Sequence, residues 1–88
     1  NYITMIENIL KAKDISSIEK LILIDITLTP SILPYKKTSA EIAASIGTKQ
    51  KDVKIALNTL QEKGVIKTKV GYRTRSTIIT KEFLESIN

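Results

Sequence analysis

The chain has no cysteine and no histidine. Without cysteine there are no disulfides and no thiolate metal sites. Without histidine it lacks the commonest general base, the commonest metal ligand and the usual switch near neutral pH. A hydrolase or metalloenzyme therefore starts at a disadvantage. Long apolar runs are missing too: the longest, residues 21–24, is far too short to span a bilayer. No secretory signal is visible, because the N-terminal segment carries Glu7 and lacks an apolar h-region. Neither G-x-x-x-x-G-K-[ST] nor G-x-G-x-x-G occurs, so nucleotide hydrolysis has no support. Aromatics are scarce, and only Tyr35 and Tyr72 are candidates for stacking bases. That weighs against recognition of RNA or single strands. There is no repeat and no low-complexity segment.

What is present fits one small domain: 88 residues can bury a modest core with little stability to spare. The net charge of +5 is spread unevenly. Residues 36–75 hold ten lysines and arginines against three acids, a net of +7, whereas residues 1–35 and 76–88 each come to −1. A basic half beside near-neutral flanks is the footprint expected of a polyanion binder, although a merely solvated lysine surface has the same sum. Isoleucine and lysine dominate where valine and arginine could serve, a hint of an A·T-rich genome. The chain begins at Asn1 rather than Met, which is compatible with a fragment of something longer. A cytoplasmic location is expected.

Along the chain, Tyr2, Ile3, Met5, Ile6, Ile9 and Leu10 recur at helical spacing, so residues 2–12 are predicted to be a helix. Its apolar face needs a cover, either the rest of the domain or a partner subunit. Ser16-Ser17-Ile18-Glu19 reads as a capping box opening a second helix to about Leu28. Residues 24–28 also alternate like a strand, but the upstream cap and the segment length favour helix. This helix is apolar nearly all round and should sit centrally. Thr29-Pro30 and Leu33-Pro34 bracket a loop, and residues 35–37 are expected to form a short strand beside a later hairpin. Thr38-Ser39-Ala40-Glu41 is a second capping box; the helix it opens buries Ile42, Ala43 and Ile46 and stops at Gly47. The next helix carries an apolar stripe of Val53, Ala56, Leu57 and Leu60 and stops at Gly64, with Lys51, Lys54, Asn58 and Gln61 opposite. Residues 65–70 and 76–80 are β-prone around a tip of Gly71-Tyr72-Arg73-Thr74-Arg75. Thr80 then caps a last helix burying Phe83, Leu84 and Ile87.

Residues 43–66 read A-x-x-I-G-x-x-x-x-x-V-x-x-A-L-x-x-L-x-x-K-G-V-I. This pattern, with its flanks, resembles the winged helix-turn-helix superfamily, in the form common in bacterial regulators and in plasmid or phage replication proteins of low-GC bacteria. The resemblance covers about residues 15–80 and implies a mainly α fold with a small β-hairpin (α+β). To the winged helix-turn-helix it adds an extra N-terminal helix and a C-terminal helix. Residues 1–14 would form that first helix, serving oligomerisation or as a linker, and residues 15–88 the DNA-binding domain. The pattern is more specific for fold than for function, because winged helices also dock proteins.

The resemblance further implies that the recognition helix, residues 50–63, presents Gln50, Lys51, Lys54, Ile55 and Asn58 to base edges. Gln and Asn can pair bidentately with adenine, Lys can donate to guanine, and Ile can touch a thymine methyl. A solvated helix face, with Ile55 packed on the helix of residues 16–28, is the plainer alternative. Lys36, Lys37, Thr38, Ser39, Thr48 and Lys49 are placed at the DNA backbone, near helix N-termini that favour phosphate. Lys49 departs from the pattern, since Ser or Thr usually precedes this helix and caps it. Either Thr48 shifts the cap back by one residue, or Lys49 leaves the cap unmet and points at a phosphate. In the wing, residues 65–80, Lys69, Tyr72, Arg73 and Arg75 are the contact candidates. Arginine there can enter a narrow A·T minor groove or contact phosphates alone, and charge can equally serve to blunt an edge strand.

No catalytic constellation stands out. Glu82 and Glu85 form a solvated helical pair, and Asp25 is expected to pair with Lys20 or another lysine in a structural role. No catalytic residue, metal or cofactor is expected, and neither a membrane nor a small-molecule ligand. The expected partner is double-stranded DNA, in transcription regulation or origin recognition, with a homodimer through the apolar faces of residues 2–12 and 16–28 as a further expectation. A winged-helix protein-interaction module is the alternative; such a module more often shows an apolar outer face where this chain has lysines.

Overall fold

A computed structural model describes residues 2–30, 34–71 and 74–87 of the chain. Its elements follow in the order α1 (Tyr2–Lys11), α2 (Ser17–Leu28), α3 (Ser39–Ile46), α4 (Gln50–Glu62), β1 (Ile66–Gly71), β2 (Thr74–Ile79) and α5 (Lys81–Ser86). The layout is mainly α with one antiparallel hairpin, a winged-helix-like arrangement flanked by a helix at each end.

Local chemistry sets the helix limits. Ser16 accepts from the Glu19 N–H at 3.3 Å, and the Glu19 carboxylate accepts from the Ser16 N–H at 3.0 Å. Thr38 and Glu41 repeat the exchange ahead of α3, at 3.2 and 3.0 Å. Each pair satisfies two N–H groups that a helix start leaves open, and a capping side chain is worth about 1 kcal/mol. Gly47 and Gly64 take left-handed conformations, φ 71° and 72°, where α3 and α4 end. The turn between the motif helices depends on the first of these, since a side chain there is strained by roughly 1–2 kcal/mol. Residues 24–28 are helical despite their strand-like alternation. Their carbonyls and N–H groups continue a helix already begun at Ser17, and isolated β alternation has no partner strand here.

Packing then selects a core of Ile9, Ile22, Leu23, Ile42, Val53 and Leu60, each side chain almost wholly buried. α2 touches α1, α3, α4 and β2 and so forms the centre of the fold. It is not covered all round: Leu21 and Leu28 stay exposed. α1 contributes Ile9 to the core, so it packs on this domain rather than trailing from it.

Several boundaries differ from the sequence expectation. The first helix stops at Lys11, not at residue 12. The hairpin pairs from Ile66↔Ile79 to Gly71↔Thr74, so the expected five-residue tip is already ladder at both its ends, and Arg75 pairs with Val70. Tyr72 and Arg73 lie outside the described residues. Residues 35–37 form no strand. A single bond, from the Thr77 N–H to the Tyr35 carbonyl at 3.0 Å, ties that segment to the edge of β2. Phe83 and Leu84 on α5 and Ile87 at its C-cap are half-buried, not buried, because so short a helix covers only one margin of the core.

Asp25 pairs with a lysine as expected, Lys37 and not Lys20, and also with Tyr35, both from the segment before α3. Its Oδ2 accepts from the Tyr35 hydroxyl at 2.6 Å and from Lys37 Nζ at 2.8 Å. Lys20 instead donates to the Leu10 carbonyl at 2.7 Å, tying α2 to the end of α1. Burial, then the bond to the Asp25 carboxylate, pushes the Tyr35 phenol well above its ordinary range. Asp25→Ala leaves a buried hydroxyl and a half-buried ammonium without their acceptor. We expect a loss of roughly 1–3 kcal/mol in urea unfolding, as for other orphaned buried donors. A loss under about 0.5 kcal/mol, the range of ordinary surface changes, would show that water replaces the carboxylate freely.

Candidate nucleic-acid interface

α4 owes its orientation to one stripe. Val53, Ala56 and Leu60 are buried, with Leu57 packed against the same core. The helical repeat therefore turns Lys51, Lys54, Ile55 and Asn58 outward, at positions i, i+3, i+4 and i+7, and all four are exposed. Ile55 is 56% exposed, so most of its side chain faces outward, although it borders the same shallow hollow as Ile18 and Glu19 of α2. A large aliphatic side chain between two lysines and an asparagine makes a mixed surface: two cations, one amide and one apolar contact. Gln50 is placed differently. Its side-chain amide donates to Ser39 Oγ at 3.1 Å, which joins the first residues of α3 and α4. Gln50 and Ser39 thus brace the two motif helices against each other.

The residues assigned to the DNA backbone divide into two groups. Lys36 and Lys49 are exposed. Lys37 is engaged inside the fold, bonded to Asp25 and, at 3.0 Å, to Ser45 Oγ, with its ammonium 5.6 Å from the Tyr35 ring centre. Asp25 already neutralises it. The Thr38 hydroxyl is committed to the cap of α3. Thr48 is half-buried, and its N–H closes the Gly47 turn onto the Ala43 carbonyl at 3.0 Å. The cap does not shift back to Thr48. Lys49 is the N-cap residue of α4, with φ −85° and ψ 143°, and makes no side-chain capping bond. Beside this surface, bonds from the Thr38 backbone N–H and hydroxyl hold the Glu41 carboxyl below the usual carboxylate range.

In the hairpin, Lys69 is exposed on β1, in register with Ser76. Tyr72 and Arg73 lie outside the described residues, and Arg75 is described only through its backbone pairing with Val70. Lys67, not singled out from sequence, is exposed two residues before Lys69 and so points to the same face. Strand alternation could have found it. Lys63 belongs to the structure instead, donating to the Asp14 carbonyl at 2.6 Å and to the buried Glu19 carboxylate at 3.2 Å. Those partners lie 49 and 44 residues away, beyond any local pattern.

Lys49→Ser gives α4 the hydroxyl cap it lacks. Thermal unfolding should move up by about 4–8 °C for the roughly 1 kcal/mol that such a cap contributes. Affinity for duplex DNA should fall in the same variant if the lysine meets phosphate. A more stable variant with undiminished DNA affinity would remove Lys49 from the contact set.

No model of a known protein family matches the sequence, and no curated protein is significantly similar to it. Among the described residues, no helix is long and apolar enough to cross a membrane.

Proposed function

We propose that this chain binds duplex DNA with sequence preference, as a winged helix-turn-helix with α4 in the major groove and the β1–β2 hairpin on the flanking backbone. The observation that carries the reading is the exposed stripe Lys51, Lys54, Ile55 and Asn58 on a helix whose opposite face is locked into the core. A helix so held projects about 10–12 Å across with its side chains, the width a major groove admits. Lys36, Lys49, Lys67 and Lys69 are exposed too and add positive charge to the same half of the sequence. Regulation of transcription, or origin recognition in plasmid or phage replication, is the setting that suits such a module.

The test is a titration of the chain with duplexes over a range of salt concentrations. About six phosphate contacts give a slope of log affinity against log salt of roughly −5. A slope near zero, or no binding at low salt, removes this reading.

A further inference from the structure

Lys37 stands at the edge of the candidate interface, yet its ammonium is committed within the fold. Two residues on, Ser39 Oγ accepts from the side-chain amide of Gln50, the first residue of α4. Two residues of chain span at most about 7 Å, so the Lys37 backbone borders the end of α4 where the exposed stripe begins. The Lys37 ammonium donates to Asp25 Oδ2 at 2.8 Å and to Ser45 Oγ at 3.0 Å, held between α2 and α3. The lysine side chain is 33% exposed and that of Asp25 only 19%. A phosphate that took Lys37 would leave a mostly buried carboxylate with the Tyr35 hydroxyl as its remaining partner. An uncompensated charge so placed is strongly unfavourable, and exchanging one anion for another gains little to set against it. Both acids of α2 hold a lysine of the basic half in this way. Glu19 takes Lys63 at the far end of α4, whereas Asp25 takes Lys37 at the end that carries the stripe.

We infer that Asp25 is a positioning residue that withholds Lys37 from the DNA backbone and so keeps the sequence-independent part of binding low. The inference rests on the duplex-binding reading and adds a restraint to it. Phosphate contacts raise affinity for every sequence alike, whereas base contacts discriminate. A lysine held back beside the start of α4 lowers background binding and leaves Lys51, Lys54, Ile55 and Asn58 untouched. The neighbouring Lys36 is exposed, so of two adjacent lysines one is offered to solvent and one is withheld.

Acetylation of lysine amines by acetic anhydride, read by mass spectrometry with and without duplex, tests this directly. In the wild type Lys37 should react slowly, at a rate that duplex does not change, while Lys51 and Lys54 become protected. Asp25→Asn keeps an oxygen for the Tyr35 hydroxyl and removes the charge that holds Lys37. In that variant Lys37 should react faster, and duplex should then protect it. Titrations of Asp25→Asn on a scrambled duplex should show roughly 5–10-fold higher affinity at about 0.1 M salt, with a slope steeper by about one, the share of one added phosphate contact. Asp14→Asn makes the same change of net charge beside Lys63, whose ammonium meets the Asp14 carbonyl. That site is roughly 18 Å along α4 from Lys51, beyond a screening length of about 10 Å, so this variant should bind as wild type does. Protection of Lys37 by duplex in the wild type overturns the inference without recourse to any variant. So does an Asp14→Asn protein that gains as much affinity as Asp25→Asn, or a folded Asp25→Asn protein with wild-type slope and an unprotected Lys37. A wild type that binds no duplex even at low salt removes the DNA-binding reading itself, and this inference with it.

Discussion

Replacing Lys51 and Lys54 together with alanine is expected to weaken binding to a preferred duplex by roughly 30-fold or more. The two side chains lie one turn apart on the exposed face of α4. If each donates to a base edge, each contributes about 1–3 kcal/mol of discrimination, and two such losses amount to roughly 30-fold at the least. Binding to scrambled duplexes should fall less, because base contacts carry specificity and phosphate contacts carry general affinity. Lys69→Ala is the contrasting change. It removes a charge from β1 and should lower affinity for all sequences while making the salt slope shallower by about one. Titrations of both variants on preferred and scrambled duplexes separate the two roles. An unchanged ratio of preferred to scrambled affinity in the double variant would mean that α4 does not read bases at these positions. Wild-type affinity in all variants, with DNA binding retained, would move the contact surface elsewhere on the molecule.

Leu60→Ala is expected to destabilise the fold by about 2–5 kcal/mol, the range for truncating a buried leucine where the site cannot fully collapse. Leu60 has no exposed surface and lies in the cluster with Val53 and Ile22. Total stability of a domain this size is about 5–15 kcal/mol, and at about 4–8 °C per kcal/mol the midpoint of thermal unfolding should drop by about 8–40 °C. Ile55→Ala on the same helix should change stability by less than about 0.5 kcal/mol, because that side chain is 56% exposed. The contrast between two aliphatic residues five positions apart tests the orientation of α4 directly. Similar losses in both variants would mean that the helix is rotated and that the outward stripe is not Lys51, Lys54, Ile55 and Asn58.

The elements of this protein are legible in its sequence because short-range chemistry defines them. Ser16 with Glu19 and Thr38 with Glu41 start α2 and α3, and the left-handed Gly47 and Gly64 mark the ends of α3 and α4. The stripe Val53, Ala56, Leu60 then fixes which side of α4 faces inward, and with it the candidate surface, since the helical repeat leaves no other choice. Strand-like alternation in residues 24–28 misleads only until the cap upstream is counted.

Tertiary structure decided which charges are committed and which stand outward. Lysines 36, 37, 49 and 63 look alike in sequence. Lys37 goes to Asp25, 12 residues back, and Lys63 to Glu19, 44 residues back. Lys36 and Lys49 stay exposed. Likewise the exposed Gln50 side chain meets Ser39, 11 residues back. Residues 35–37 become a strap rather than a strand, because the side chains of Tyr35 and Lys37 are drawn to Asp25 and only one backbone bond reaches β2. A hydrogen bond or ion pair depends on two groups meeting in space. Helix limits are written into neighbouring residues, whereas such meetings exist only once α2, α3 and α4 have packed.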